Sequence, residues 1–289
     1  MNDKITAVNF VVYFCCSWKE VLFLYHNKLE RGYNMNKENE LNYYEKIRDW
    51  SFDKFQIESR TWTNWNLFKL IKKYSTKDSK ILDLGTGGEK LLKYFPKVTE
   101  ILGTDFSKEM IETANKNLLK SRRKNISFRI MDNLKMDVPD EYFDIVVARN
   151  TVTNPKQIFK CLKKGGYLFI HGVDQHDCHS LKLLFGKGQA FNDLKPISII
   201  DYEKVLEAGF KDVELVPIHT IEYFKNKSLF TEFLMKVPII DNFSEESGFV
   251  KKYFSNEIEN EKLDKYIEEN SYNGKIKLTR RYYGIIAKK

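Results

Sequence analysis

The chain has 289 residues, of which 42% are hydrophobic and 30% charged, and its formal net charge is +8. This composition is sufficient for a sizeable core, and no apolar run reaches the roughly 18 residues of a membrane span. The cysteines are Cys15, Cys16, Cys161 and Cys178, and their spacing suits neither a disulfide framework nor a zinc site. We expect a globular protein in the reducing cytoplasm, with nucleic acid left open as a partner by the positive charge.

The N-terminal region divides at a second methionine, Met35, which begins a polar, helix-like sequence. Residues 30–32 can be encoded by a purine-rich run of the kind found in bacterial ribosome-binding sites. We therefore expect residues 1–34 to be an over-extended start of a bacterial gene, and the alternative is an extra N-terminal helix or interfacial segment. Residues 36–76 have helical apolar spacing, which predicts a helical N-terminal cap.

From residue 77 onward, short apolar runs alternate with amphipathic stretches. The runs predict strands at residues 80–84, 100–104, 126–131, 143–148, 167–172 and 213–223. The amphipathic stretches predict helices at residues 89–94, 107–120, 154–162 and 199–208. This alternation is typical of a doubly wound α/β fold with a parallel sheet. We expect an α/β core at residues 77–224, a helical insertion at residues 225–275 and a closing strand within residues 276–289.

Three glycines follow the first predicted strand, in "ILDLGTGGEKLL". In a doubly wound sheet the ligand crevice lies at the carboxyl ends of the strands, where the strand order reverses. Gly85 and Gly87 would let the backbone approach a ligand without interference from a Cβ atom, and the next helix offers free N–H donors. An ordinary glycine loop is the alternative for a motif of this kind.

Acidic residues end the next two predicted strands. Asp105 follows the glycines by about 20 residues, where a carboxylate can accept both hydrogens of a ribose diol. Asp132 ends the third strand, and with Asn133 it is placed to meet a base edge. Each acid alone is equally compatible with a helix cap or a solvated loop. Their recurrence at successive strand ends predicts a nucleoside site.

Several nucleotide classes are excluded by the same stretch. Lys90 stands where a nicotinamide fingerprint requires glycine, and no G-K-[ST] ending is present for a Walker loop. Glu89 at the helix start would repel a phosphate, and Asp83 adds a second negative group. A cationic, phosphate-free nucleoside suits these residues better.

Taken in order, these motifs resemble those of the class I S-adenosylmethionine-dependent methyltransferases, over roughly residues 75–223 and the closing strand. "LDLGTGG" is similar to the family's acid-x-Gly-x-Gly-x-Gly motif, although Glu89 occupies the third glycine position and Gly88 is a shifted substitute. "GTDFSKEMIETA", "MDNL", "YFDIVVARN" and "LKKGGYLFI" resemble the later motifs. The resemblance implies a Rossmann-like, seven-stranded sheet whose last strand is antiparallel.

The resemblance also implies S-adenosyl-L-methionine as the cofactor. Asp105 would bind the ribose, Phe106 would lie beside the adenine, and Asp132 with Asn133 would contact the base. The full implied cofactor set is Asp83, Gly85, Thr86, Gly87, Asp105, Phe106, Asp132, Asn133 and Arg149.

Candidate catalytic residues follow the fourth and fifth strands. Methyl transfer needs a nucleophile about 3 Å from the methyl carbon, and a general base is optional. His171 is the first candidate for a base, and Asn150 is a further catalytic candidate. His176 and His179, with Asp174 or Asp177, suggest a metal site only weakly, and we expect no metal. A solvated loop is the alternative for most of this cluster.

The methyl acceptor is expected to be a small molecule, because the N-terminal cap and the insertion can close the crevice. Phe230, Phe233, Phe243 and Phe249 either wall an acceptor pocket or form the insertion's own core. "ARNTVTNPKQ" lacks the Asn/Asp-Pro-Pro-aromatic signature of amino-methyltransferases, which argues against DNA adenine.

Two alternative functions stay open. The first is an RNA methyltransferase, favoured by "KSRRK" and "TRRYY". The second is a non-catalytic S-adenosylmethionine-binding protein, since no residue is an obligatory catalyst. The sequence does not indicate an oligomeric state.

Overall fold

The computed structural model describes residues 52–55, 57–87, 89–121, 123–237, 239–240 and 257–289. Its strands are β1 (Glu58–Thr61), β2 (Lys80–Leu84), β3 (Glu100–Asp105), β4 (Ile126–Ile130), β5 (Phe143–Arg149), β6 (Leu162–Val173), β7 (Lys211–Phe224), β8 (Ser271–Tyr272) and β9 (Lys275–Lys288). Its α-helices are α1 (Leu67–Tyr74), α2 (Glu89–Tyr94), α3 (Lys108–Ser121), α4 (Pro155–Cys161), α5 (His179–Phe185), α6 (Ile197–Glu207), α7 (Lys227–Lys236) and α8 (Glu257–Glu269). A short 3-10 turn, Asp53–Phe55, precedes β1.

The strands form one mixed sheet in the order β1-β7-β9-β6-β5-β2-β3-β4, with β8 paired to β9. Neighbouring strands from β4 to β6 are parallel, whereas β9 is antiparallel to both β6 and β7. The predicted doubly wound α/β fold with an antiparallel last strand is therefore confirmed. Strands β2 to β7 and β9 are the seven expected strands, and β1 and β8 extend the sheet to nine. The chain order reverses at β2, which lies between β3 and β5, so the ligand crevice begins there.

Apolar side chains cover both faces of the sheet. On one face, Ile158 of α4 and Val205 of α6 pack against β5, β6 and β9. On the other face, Leu67 and Ile71 of α1 and Leu91 of α2 pack against β2, β3 and β5. The strands of the centre are consequently buried on both sides, which explains why their sequences read as continuous apolar runs.

The N-terminal segment differs from the expectation of a purely helical cap. Residues 58–61 form β1, which pairs antiparallel with β7 from Glu58 opposite Tyr223 to Thr61 opposite Thr220. All its side chains are exposed, so the sequence "ESRT" has no apolar alternation that would predict a strand. Residues 58–61 are a strand because their backbone pairs with the edge of β7. Residues 1–34, and residues 36–51 of the expected cap, lie outside the described residues.

The insertion before the last strand is helical in its described part, with α7 and α8. Phe230 and Phe233 are fully buried against Phe224 at the end of β7. Those two aromatics therefore form the insertion's own core and do not wall a pocket. Phe243 and Phe249 lie outside the described residues. No helix of the described part is long and apolar enough to cross a membrane.

Candidate functional site

The loop after β2 has the backbone shape that its glycines predict. Gly85 and Gly87 have φ of +63° and +51°, in the left-handed region that L side chains rarely adopt. A Cβ atom on Gly85 would lie 2.6 Å from the Cβ of Thr151, so a side chain there would displace the segment after β5. The Thr86 N–H donates to the carbonyl of Thr104 at 2.9 Å, which ties the loop to β3. Gly88 and the Glu89 side chain lie outside the described residues.

Asp105 joins this loop to the end of β3. Its Oδ2 accepts from the Gly87 N–H at 3.2 Å and its Oδ1 accepts from the Ser107 N–H at 3.1 Å. Burial raises the pKa of Asp105, and hydrogen bonds from the backbone N–H groups of Ser107, Gly87 and Phe106 oppose that shift. A carboxylate has about four lone-pair sites, so this one can still accept from a ligand hydroxyl group. Phe106 follows it and is half-buried.

Three buried oxygen atoms near these loops have no hydrogen-bond partner in the described part of the chain: Thr86 Oγ1, Thr104 Oγ1 and Asn133 Oδ1. Asn133 follows β4, and its amide nitrogen donates to Thr151 Oγ1 at 3.0 Å, which fixes the orientation of its free oxygen. A buried acceptor left unpaired costs about 1–3 kcal/mol, so such a group indicates a ligand that donates to it. Asp132 instead accepts from the Leu134 N–H at 2.9 Å within its own turn.

Asp83 and Arg149 form a buried ion pair beneath the loop. Arg149 Nε and Nη2 donate to the two oxygens of Asp83 at 3.3 and 2.9 Å, and Nη2 also donates to the carbonyl of Thr86 at 2.8 Å. The Asp83 side chain is 0% exposed. The expected negative group at Asp83 is present, and Arg149 compensates its charge. Both residues support the loop from below.

His171 lies at the crevice end of β6, between two aromatic rings. Its Nδ1 accepts from Nε1 of Trp65 at 3.1 Å, and its ring stacks on Tyr282 with 5.2 Å between centroids. Burial, together with the positive charges of Lys90, Arg149 and Arg280, lowers the pKa of His171 to about 4. The imidazole is therefore neutral at pH 7.

Asn150 is positioned by the same strand. Its N–H donates to the carbonyl of His171 at 2.8 Å, and its backbone has φ of +49°. The side chain is exposed at the mouth of the crevice. Trp65 and Tyr282 were not among the residues that the sequence singled out for this site. Trp65 lies in no motif, and Tyr282 was noted only within the basic stretch "TRRYY".

The cluster after β6 is divided among several structural roles. His176 Nδ1 lies 3.2 Å from Asp174 Oδ1, and the rings of His176 and His179 are 5.2 Å apart. Asp177 is buried and accepts from Arg280, whose Nε lies 2.9 Å from Oδ1. Within the described residues, no group of three or more His, Cys, Asp or Glu side chains could hold a metal ion.

Two arginines of the basic motifs bind other parts of the chain. In "KSRRK", Arg123 donates to the carbonyls of Phe95 and Pro96, each at 2.9 Å, at the end of α2. In "TRRYY", Arg280 is buried and also pairs with Glu222 at 3.1 Å. Arg281 beside it is exposed. The basic motifs therefore provide less surface charge for RNA than their sequences suggest.

The strand order and the antiparallel last strand define a Rossmann-like fold of the methyltransferase type. Residues 75–213 match the family model described as a methyltransferase domain. The chain is 27% identical over 139 residues to an uncharacterised methyltransferase of Schizosaccharomyces pombe, covering 42% of this chain and 50% of the relative. Residues 75–213 therefore carry a methyltransferase domain.

Two further relatives agree with this assignment. YcgJ of Bacillus subtilis, named as an uncharacterised methyltransferase, is 28% identical over 88 residues, or 30% of this chain and 35% of the relative. Its crystal structure has a TM-score of 0.50 at 15% identity and covers 76% of this chain and 96% of that one. An arsenite methyltransferase of Halobacterium salinarum is 28% identical over 159 residues, which cover 47% of this chain and 38% of the relative. The matches span half the length or less of these curated relatives.

Proposed function

We propose that the protein is a cytoplasmic methyltransferase that uses S-adenosylmethionine to methylate a small molecule. The observation that supports the cofactor most directly is the pair of acceptors after β3 and β4. Asp105 has lone pairs to spare, and the buried Asn133 Oδ1 has no partner in the described part of the chain. A nucleoside supplies two hydroxyl donors and one amino donor, which match these groups.

The residues of the crevice divide the binding of such a ligand among them. Asp105 would accept from the ribose hydroxyls, Asn133 from the adenine amino group, and Phe106 would cover the ring. The backbone at Gly85 and Gly87 would meet the methionine end, where no Cβ atom obstructs it. When bound, S-adenosylmethionine supplies an electrophilic methyl group on a sulfonium. The chain's contribution is to orient the acceptor and exclude water.

A small acceptor is favoured over RNA by the parts outside the shared core. β7 runs parallel to the central strands, so its carboxyl end carries the insertion to the crevice side of the sheet. There α7 and α8 form a hydrophobic cluster with α5 and Phe55. This cluster supports a role of the insertion as a lid over the crevice. Arg123 and Arg280 bind protein groups, which leaves the RNA alternative less basic surface. Retention of the full chain on RNA at low salt would favour that alternative.

Calorimetry with S-adenosylmethionine tests the cofactor site. Asp105→Asn removes the charge and one of the two acceptor oxygens, Oδ2 and Oδ1, to which the Gly87 and Ser107 N–H groups donate. Since hydrogen bonds to a charged group are each worth about 1.5–3 kcal/mol, we expect affinity to fall by about tenfold or more. Asp78→Asn, at an exposed aspartate before β2, is the matched control and should bind as the wild type does. Absence of binding by the wild type, or equal binding by Asp105→Asn, refutes the assignment.

The acceptor is then sought by methyl transfer from labelled S-adenosylmethionine into a metabolite extract. Label recovered in a small molecule supports the proposed function, and label recovered in RNA supports the alternative. A protein that binds the cofactor and labels neither fraction would be a non-catalytic binding protein.

A further inference from the structure

Trp65 packs against β9 at Gly284, where the strand has no side chain. The residue precedes α1, whose N-cap is Asn66. Its indole covers Gly284, where an added Cβ atom would lie 2.4 Å from the indole Cη2. The ring planes of Trp65 and His171 are 19° apart, with 6.3 Å between their centroids. The absence of a side chain at Gly284 therefore allows the indole to reach the imidazole edge.

The hydrogen bond between these rings determines the tautomer of His171. An indole N–H can only donate, so the His171 Nδ1 that lies 3.1 Å from it must carry a lone pair. A neutral imidazole with an unprotonated Nδ1 carries its proton on Nε2. Tyr282 stacks on the face of the ring. No group in the described part of the chain accepts a hydrogen bond from Nε2.

The charges around the imidazole maintain this neutral form. Lys90 at the start of α2, Arg149 at the end of β5 and Arg280 in β9 all disfavour a second proton on the ring. Arg149 and Arg280 are each paired with buried carboxylates, whereas Lys90 is exposed. Burial acts in the same direction and is the largest cause of the lowered pKa of His171. A protonated Nδ1 would also face the Trp65 N–H, donor against donor.

We propose that Trp65 is a positioning residue that fixes His171 as a hydrogen-bond donor through Nε2–H, and that the acceptor presents an oxyanion to this donor. The proposed class of methyl acceptor rests on the proposed function, whereas the proposed tautomer of His171 does not. A carboxylate or phenolate oxygen can accept a hydrogen bond from this fixed N–H donor. An ammonium group has only donors, so it would place a donor against a donor.

The chemistry of such an acceptor needs no general base. An oxyanion is already deprotonated, so its lone pair forms the new bond to the methyl carbon while the carbon–sulfur pair stays on sulfur. No proton has to be removed, which is consistent with a histidine whose free nitrogen already carries one. His171 would then orient the acceptor, and a carboxylate would keep its second oxygen free to react.

The tautomer is tested by ¹⁵N NMR of the full chain labelled at histidine. The chain has five histidines, and the His171 signals are identified by their loss in His171→Gln. We expect an unprotonated Nδ1 and a protonated Nε2, unchanged between pH 7 and pH 5. Trp65→Phe keeps an aromatic ring but removes the N–H, and should give mixed tautomers and a ring that protonates at higher pH. Trp62→Phe is the matched control, because Trp62 is 52% exposed and contacts His219 instead.

An unprotonated Nε2 in the wild type, or His171 signals that Trp65→Phe leaves unchanged, would overturn the proposal. These spectra need neither cofactor nor acceptor, so they stay informative if the proposed function fails.

The donor role is tested by methyl transfer with matched acceptors. A glutamine amide can donate a hydrogen bond but cannot take up a proton at neutral pH. We therefore expect His171→Gln to keep at least about tenfold more activity than His171→Leu, with a flat rate between pH 6 and pH 8. An equal loss of activity in both variants would instead indicate that His171 acts as a general base. Methylation of amines but not of carboxylates or phenols would overturn the acceptor class. Loss of cofactor binding, seen separately by calorimetry, would indicate failure of the proposed function.

Discussion

Replacement of Arg149 by methionine should measure what the buried ion pair contributes beneath the glycine loop. The side chains of Arg149 and Asp83 are 10% and 0% exposed. Methionine keeps much of the stem but removes three hydrogen bonds, two to Asp83 and one to the Thr86 carbonyl. Because Asp83 is left in the core without a counter-charge, we expect a loss of about 3–5 kcal/mol in the free energy of unfolding.

The assay is urea unfolding at pH 7, followed by circular dichroism. Lys108→Met is the control, since Lys108 pairs with Glu112 at 3.8 Å on the exposed face of α3. An exposed pair contributes about 0–1 kcal/mol. The double variant Asp83→Asn with Arg149→Met should recover part of the loss, because no charge then stays buried. A loss of less than about 1 kcal/mol in the free energy of unfolding of Arg149→Met would contradict this expectation. A double variant no more stable than Arg149→Met would contradict it as well.

Two further predictions concern the ring stack around His171. In the unfolded chain His171 has its ordinary pKa, whereas in the folded chain its pKa is about 4. Between these two pH values the unfolded state binds more protons, so the stability of the fold decreases as the pH falls. From pH 7 to pH 5, the wild type should lose about 2 kcal/mol relative to His171→Gln in urea unfolding; parallel curves would contradict this. Gly284→Ala should cost about 1–3 kcal/mol and shift the Trp65 fluorescence, because the new methyl group overlaps the indole. Unchanged stability and emission would show that the indole does not depend on the absence of a side chain at Gly284.

Much of the fold follows from local patterns. The apolar runs that become β2, β3 and β5 alternate with helices, and this alternation predicts a parallel sheet before any contact is known. The backbone demands of Gly85 and Gly87 are equally local, since their left-handed φ values depend on the turn itself. The position of Asp105 at the end of β3 follows from strand length alone. For these reasons the crevice and the position of Asp105 beside it were predictable.

The pairings inside the site were not predictable in the same way. Asp83 and Arg149 are 66 residues apart, and Trp65 and His171 are 106 apart. No periodicity relates such positions, because strand order and register alone bring them together. The compensation of the Asp83 charge by Arg149 was not predicted for this reason. Arg280 likewise appears in the sequence as surface charge, yet Asp177 from the segment after β6 meets it in the core.

The sequence by itself determined the α/β class, the glycine loop and the order of the acidic strand ends, because each depends on a periodicity or a backbone angle within a short segment. Only the tertiary structure decided which charges are compensated, that β1 is a strand, and which nitrogen of His171 carries the proton. The physical reason is that a side chain's charge and tautomer depend on the groups packed against it. In this protein those groups arrive from distant strands.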